Sequence, residues 1–236
     1  MPDKRFFSQT GRIVVITGHY GSGKTEFAVS LAMLLAGVQE GGFPVSLIDL
    51  DIVNPYFRSR ERREMLENAG ITVCGSVFDE EITTELPALG ASVRAPLEDD
   101  SRRVIIDVGG NDTGALVLNQ FSKYFTDDDA TVLAIVNANR MDTSSVEGAL
   151  EHISAIEAIT GLTVSEIVNN THLLRETTAD DIIKGHELCK AVCEKSGKHL
   201  LLSCYPDGLV DPECLVGLTE SLMPLGLYMR PTWLDK

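Results

Sequence analysis

The chain has 236 residues, 44% of them hydrophobic and 23% charged, with a formal net charge of -15. Such a length and composition bury a full core without staples and exclude a disordered or fibrous chain. The acidic balance argues against nonspecific binding to nucleic acid or to an anionic membrane, whose phosphates would repel the surface. The first eleven residues are charged and lack an apolar segment, so no signal-peptide pattern is present. No apolar run approaches the ~18 residues of a membrane span. Five cysteines (Cys74, Cys189, Cys193, Cys204, Cys214) lie at scattered spacings without a C-x-x-C, which reads as reduced thiols in a cytoplasmic protein.

In chain order, residues 12–17 read as a strand. Gly18-His19-Tyr20-Gly21-Ser22-Gly23-Lys24-Thr25 follows and meets the pattern G-x-x-x-x-G-K-[ST] in full. An amphipathic helix over 24–39 comes next. Strand, glycine turn and helix in that order are the context of a phosphate-binding loop. The glycines let successive N–H groups turn inward as an anion nest, and the helix adds its positive end. Lys24 is expected to reach the β- and γ-phosphates and the Thr25 hydroxyl to ligate Mg²⁺.

A second buried strand spans 45–51 and ends in Asp49-x-Asp51. Period two puts both side chains on one face while they stay in the strand, and one can look onto the γ-phosphate. Asn54-Pro55 turns the chain. A charged helix over 57–68 carries Arg58, Arg60, Arg62 and Arg63 interleaved with Glu61 and Glu64, either a partner-facing patch or a salt-bridged solvent face. Residues 71–74 read as a short strand. Residues 79–97 carry helical spacing that Pro87 and Gly90 weaken.

Val104-Ile105-Ile106-Asp107-Val108 is the next strand. Asp107 has the position of a Walker B acid that holds Mg²⁺ through water. Gly109-Gly110 behind it can bring a backbone N–H onto the γ-phosphate and move when that group leaves. A helix over 115–125, a strand over 130–137 and a helix over 143–159 follow, with Val146, Leu150, Ile153 and Ile156 on one stripe. Then come a strand over 163–169 ending at Asn169, and a helix over 179–194 with Ile182, Ile183, Leu188 and Val192 inward. A strand over 199–204 and a closing helix over 212–222 complete the pattern. The alternation predicts one α/β domain, residues 1–236, a three-layer doubly wound P-loop NTPase with a mostly parallel sheet. His186, Cys189 and Cys193 make a weak three-ligand cluster that reads better as core.

These residues resemble the ParA/MinD/nitrogenase-iron-protein group of P-loop ATPases, and in wording a poorly characterised bacterial subgroup described as CobQ/CobB/MinD/ParA nucleotide-binding proteins. The resemblance covers most of the chain. It implies that Gly18, His19, Tyr20, Gly21, Ser22, Gly23, Lys24 and Thr25 bind nucleotide, that residues 49–54 are switch I and that residues 107–114 are switch II. It puts the water-activating aspartate on Asp51, which is also counted with Thr25 and Asp107 toward the metal. It puts an adenine contact on Asn169 and a base-packing loop on Pro206 and Asp207. His19 stands where ParA and MinD carry the lysine that crosses a dimer interface. The iron protein's cluster cysteine and MinD's membrane helix have no match, so neither an iron–sulfur cluster nor membrane binding is expected. Asn169-Asn170-Thr171-His172 lacks the Lys and Asp of the guanine motif N-K-x-D, which points to ATP. The expectation is a slow Mg²⁺-dependent ATPase, with Lys24 and Asp51 catalytic. It would switch between ATP and ADP for an unknown protein partner or for its own dimerisation. The rivals are a kinase or an ATP-dependent ligase like dethiobiotin synthetase acting on a small acceptor, and a nucleotide-binding module without turnover.

Overall fold

A computed structural model describes residues 10–37, 43–51, 62–75, 86–110, 116, 118–126, 129–218 and 221–229. In chain order it runs β1 (Ile13–Gly18), α1 (Lys24–Gly37), β2 (Val45–Asp49), α2 (Arg63–Asn68), β3 (Thr72–Gly75), α3 (Leu86–Leu97) and β4 (Arg103–Asp107). It continues through β5 (Ala130–Val136), α4 (Val146–Thr160), β6 (Glu166–Asn169), α5 (Ala179–Ser196), β7 (His199–Pro206) and β8 (Ser221–Leu225). The strands form one sheet in the order β3-β2-β4-β1-β5-β6-β7-β8. Every adjacent pair is parallel, so the sheet is wholly rather than mostly parallel.

The central strand β1 lies between β4 and β5 and is buried along its length. A strand covered on both faces needs apolar residues at every position, and Ile13-Val14-Val15-Ile16 supplies them. Period two splits the run: Val14 and Ile16 pack with α1, whereas Ile13 and Val15 pack with α3 and α4. Because all strands are parallel, Gly18, Asp49, Asp107, Asn169 and Pro206 end at one edge of the sheet. That edge is where an open α/β sheet binds its ligand.

Several elements differ from expectation. Helix α1 is not amphipathic: Phe27, Ala28, Val29, Ser30, Leu31, Ala32 and Leu35 are all buried. Its outer side is covered by the segment after β8. There the Gly226 N–H donates to Ser30 Oγ at 3.1 Å, and the N–H groups of Tyr228 and Met229 donate to the Glu26 carboxylate at 2.5 and 2.9 Å. Residues 86–97 are helical despite two prolines. Pro87 stands in the first turn, where a missing N–H has no intrahelical partner to lose, and Pro96 stands in the last. The expected closing helix is a short 3₁₀ turn, Pro212–Leu215, followed by strand β8. An edge strand bonds on one side only, so it accommodates Pro224. On α5, Ile182 and Val192 are buried, but Ile183 is exposed. Among the described residues no helix is long and apolar enough to cross a membrane.

Candidate nucleotide site

Between β1 and α1 the chain curls through Gly21 and Gly23, at φ +74° and +85°, a backbone region open to glycine at little cost. The Ser22 N–H donates to the His19 carbonyl at 3.1 Å and closes the curl. Lys24 is the first residue of α1 and is buried, with Nζ donating to the His19 carbonyl at 3.0 Å. Burial lowers the Lys24 pKa, and the nearby Asp107 and Asp51 oppose that shift. The Lys24 side chain is thus folded back over the start of the loop.

Thr25 Oγ1 donates to Asp107 Oδ2 at 2.7 Å. Asp107 ends β4 and is fully buried. Register puts Asp49, the last residue of β2, directly beside it. Burial first, and the Asp49 charge second, push the Asp107 carboxyl up to about 7. Asp107 Oδ1 is buried with no hydrogen-bond partner among the described residues. Among those residues no group of three or more His, Cys, Asp or Glu could hold a metal unaided. A Thr hydroxyl beside a carboxylate with an unused oxygen suits Mg²⁺, which takes most of its ligands from phosphate and water. The residues present therefore fit that ion at Thr25 and Asp107.

A second layer holds the loop. Asn170 Nδ2 donates to the Ser22 carbonyl at 2.8 Å, and Arg140 Nε donates to the Gly21 carbonyl at 2.7 Å. A Cβ at Gly23 would stand 2.5 Å from Asn170 Nδ2 and 2.7 Å from His172 Nε2, so the layer lies flush against the glycine. His172 is pushed down to about 4 by burial and by the charge of Arg140, and is neutral here.

Thermotoga maritima cell division protein FtsY superposes with a TM-score of 0.56 at 21% identity, covering 87% of this chain and 67% of that one. FtsY from Mycoplasma mycoides gives 0.54 at 16% identity over 80% of this chain and 58% of that one. The chain has the fold of a P-loop NTPase. In sequence, ADP-ribosylation factor-like protein 3 of Chlamydomonas reinhardtii is 28% identical over 118 residues, 50% of this chain and 65% of that protein. The chain thus spans less than two thirds of that relative's length. No protein-family model matches. These likenesses support the P-loop NTPase fold but not the narrower ParA/MinD resemblance.

On this P-loop NTPase frame the expected site residues separate. The loop from Gly18 to Thr25, together with Asp107 and Gly110, comes together at the sheet edge: a Cβ on Gly110 would lie 2.8 Å from Lys24 Nζ and 2.9 Å from the Tyr20 nitrogen. The Tyr20 side chain is exposed. His19 folds toward α4: Nδ1 donates to the Tyr20 carbonyl at 2.9 Å, and Nε2 stands 3.5 Å from Asp142 Oδ2. Asp51 lies two residues past the last residue of β2, and its N–H donates to Asp49 Oδ1 at 3.0 Å. The strand ends at Asp49, so the shared face expected of Asp49 and Asp51 does not extend to the second acid. Asp51 is half-buried and acts on Lys24 and Asp107 through its charge.

Asn169 is a correction. It is fully buried, and Nδ2 donates to the Ile182 carbonyl and to Ser203 Oγ, both at 2.9 Å. Its Oδ1 accepts the Thr171 N–H. Its amide is committed between β6, β7 and α5 and does not face a base. The asparagine that reaches the loop is its neighbour Asn170. Pro206 and Asp207 stand at the expected sheet edge. The Pro206 carbonyl accepts from Leu209 and Val210, and the Asp207 N–H donates to the Leu225 carbonyl.

Sequence reasoning missed Asp49 as a buried neighbour of Asp107, although both carry one signal, an acid closing an apolar run. It also missed Arg140, whose loop follows β5 without any motif. His186, Cys189 and Cys193 do not form a metal group: Cys189 packs in the core with Cys193 against it. Arg63 pairs with Glu67 at 3.4 Å, the solvent-face alternative for this part of the cluster. Arg58, Arg60 and Asn54 to Phe57 lie outside the described residues, as do residues 111–114.

Proposed function

We propose that this protein is a Mg²⁺-dependent nucleotide switch that hydrolyses its nucleoside triphosphate slowly. The observation that supports this most directly is the Thr25–Asp107 hydrogen bond beside a buried Lys24. Lys24 and the loop amides would bind the β- and γ-phosphates. Thr25 and Asp107 would hold Mg²⁺, which supplies charge neutralisation when bound. Asp51, outside the strand and half-buried, would orient a water. Gly110 lies against Lys24 and Tyr20 and would be the part that moves when the terminal phosphate leaves.

The base we propose is adenine, because neither Lys nor Asp of the guanine motif follows β6. A specific observation favours guanine instead: one structural neighbour, FtsY from Elizabethkingia anophelis, is described in complex with GDP. Titration of fluorescent ATP and GTP analogues with Mg²⁺, followed by phosphate release, tests both readings. Tighter ATP binding with slow release is expected. Preference for GTP would overturn adenine and leave the switch standing, whereas binding of neither would overturn the function. Asp51→Ala should leave binding intact and cut release at least about a hundredfold, the lower end of what a positioned base contributes. Light scattering with ADP and with a non-hydrolysable triphosphate reads whether a second copy joins.

A further inference from the structure

Behind Gly109 and Gly110 lies a cavity of about 300 Å³, between the end of β4 and the flank of α4. Val108, Ile156 and Ile159 make its apolar walls, and Thr17, His19 and His152 line its polar end. Gly110 is the partition from the loop, since a Cβ there would meet Lys24 Nζ. Hydrolysis of a phosphate by water needs no apolar chamber at this place.

Three polar groups that line it, Thr17, Thr160 and His152, present lone pairs. Thr17 Oγ1 gives its proton to the Leu133 carbonyl at 2.9 Å, and Thr160 Oγ1 gives its own to the Ile156 carbonyl at 2.7 Å. His19 Nδ1 donates to the Tyr20 carbonyl. His152 donates to the Gly18 carbonyl and meets the His19 ring edge-on, with centroids 5.2 Å apart. Its other nitrogen, Nε2, is buried with no hydrogen-bond partner among the described residues. A buried acceptor left unmade is costly, and a donor that meets it recovers that cost. His152 is pushed down to about 4 by burial and by the fields of His19 and Lys24, so it is neutral, and the same fields disfavour a second cation here.

We propose that this cavity binds a small, neutral, mostly hydrocarbon molecule carrying one O–H or N–H donor, of the phenol or N–H heterocycle class, with the donor set against His152 Nε2. Its volume is at the small end for ligand sites. The occupant would touch Gly109 and Gly110 from the side opposite Lys24. It would therefore bias nucleotide affinity and be biased by it in equal measure. That coupling rests on the proposed function, whereas the site itself does not.

The test uses the full chain with phenol, toluene and benzylamine as probes, followed by saturation-transfer NMR and calorimetry. Phenol should bind about fivefold or more tightly than toluene, the usual net worth of one hydrogen bond, and benzylamine more weakly than either. Ala155→Trp, on the exposed lip of the cavity, should abolish phenol binding while the thermal midpoint holds. Ala155→Leu is the milder obstruction if the first variant is unstable. His152→Phe should equalise phenol and toluene. Phenol that fails to bind, binds no better than toluene, or binds both Ala155 variants as tightly as the parent would overturn the site. Titrating ADP with and without saturating phenol reads the coupling. Unchanged ADP affinity would overturn coupling alone, and absence of binding to both ADP and GDP would count against the nucleotide function while leaving the phenol result in place.

Discussion

Thr25 and Asp107 are joined by a 2.7 Å hydrogen bond between a helix start and a strand end. The bond ties the first turn of α1 to the acid that closes β4. It also leaves Asp107 Oδ1 buried and unused. Nucleotide affinity should depend on both partners and on Lys24. Lys24→Ala is expected to weaken triphosphate binding by about 1.5–3 kcal/mol, the range for hydrogen bonds to charged groups. Thr25→Ala and Asp107→Asn should each weaken Mg²⁺-nucleotide binding, with a double variant less than additive because the two act on one ion. Isothermal titration with and without Mg²⁺ measures this, and full additivity would separate the residues.

The two asparagines after β6 should separate by readout. Asn170→Ala removes the bond to the Ser22 carbonyl and should lower nucleotide affinity by about 1 kcal/mol. Asn169→Ala leaves the Ile182 carbonyl and Ser203 without their partner and should cost roughly 1–3 kcal/mol of stability. Denaturant unfolding and nucleotide titration of both variants check this. A base preference lost in Asn169→Ala alone would return that residue to the base.

Stability of the nucleotide-free, Mg²⁺-free protein should carry opposing pH terms. Asp107, pushed up to about 7, holds a proton when folded that the unfolded chain releases near pH ~4. Its contribution is full below about pH 4 and lost as pH rises through 7. His152 and His172, pushed down to about 4, do the reverse: their contribution is full above about pH 6.5 and lost as pH falls to 4. Asp107→Asn should therefore gain stability relative to the parent between pH 5 and pH 7.5. Urea unfolding of both at the two pH values reads the sign, and a constant difference would contradict the Asp107 shift.

Gly185 sits on α5 where a Cβ would collide with Thr171 and Asn169. Helix and strand end approach that closely because nothing projects between them. Gly185→Ala should destabilise by about 1–3 kcal/mol through overpacking, despite the higher helix propensity of alanine. A raised melting temperature would show that the contact relaxes freely.

The loop was legible because its motif, strand and helix are contiguous, and the buried strands because each is a dense β-branched run. What failed shares a different cause. The closing helix read over 212–222 is instead a 3₁₀ turn and the start of β8, whose Pro224 is tolerated only because the strand lies at an edge. Asn169 and Asn170 are adjacent and chemically alike, so only the packing of α5 decides which one turns to the loop. Arg140 reaches the loop from the turn after β5, and His152 and the cavity depend on how α4 lies against the sheet, contacts that no local pattern encodes.

The bonds from Glu26 to Tyr228 and Met229 join residues 202 and 203 positions apart. Such a closure carries the largest loop entropy in a chain of this size and tends to form late. During synthesis the helix behind the loop emerges early, yet its outer side stays open until β8 and the residues just after it have left the ribosome. A nascent chain thus holds a phosphate-binding turn before it holds the layer that backs it.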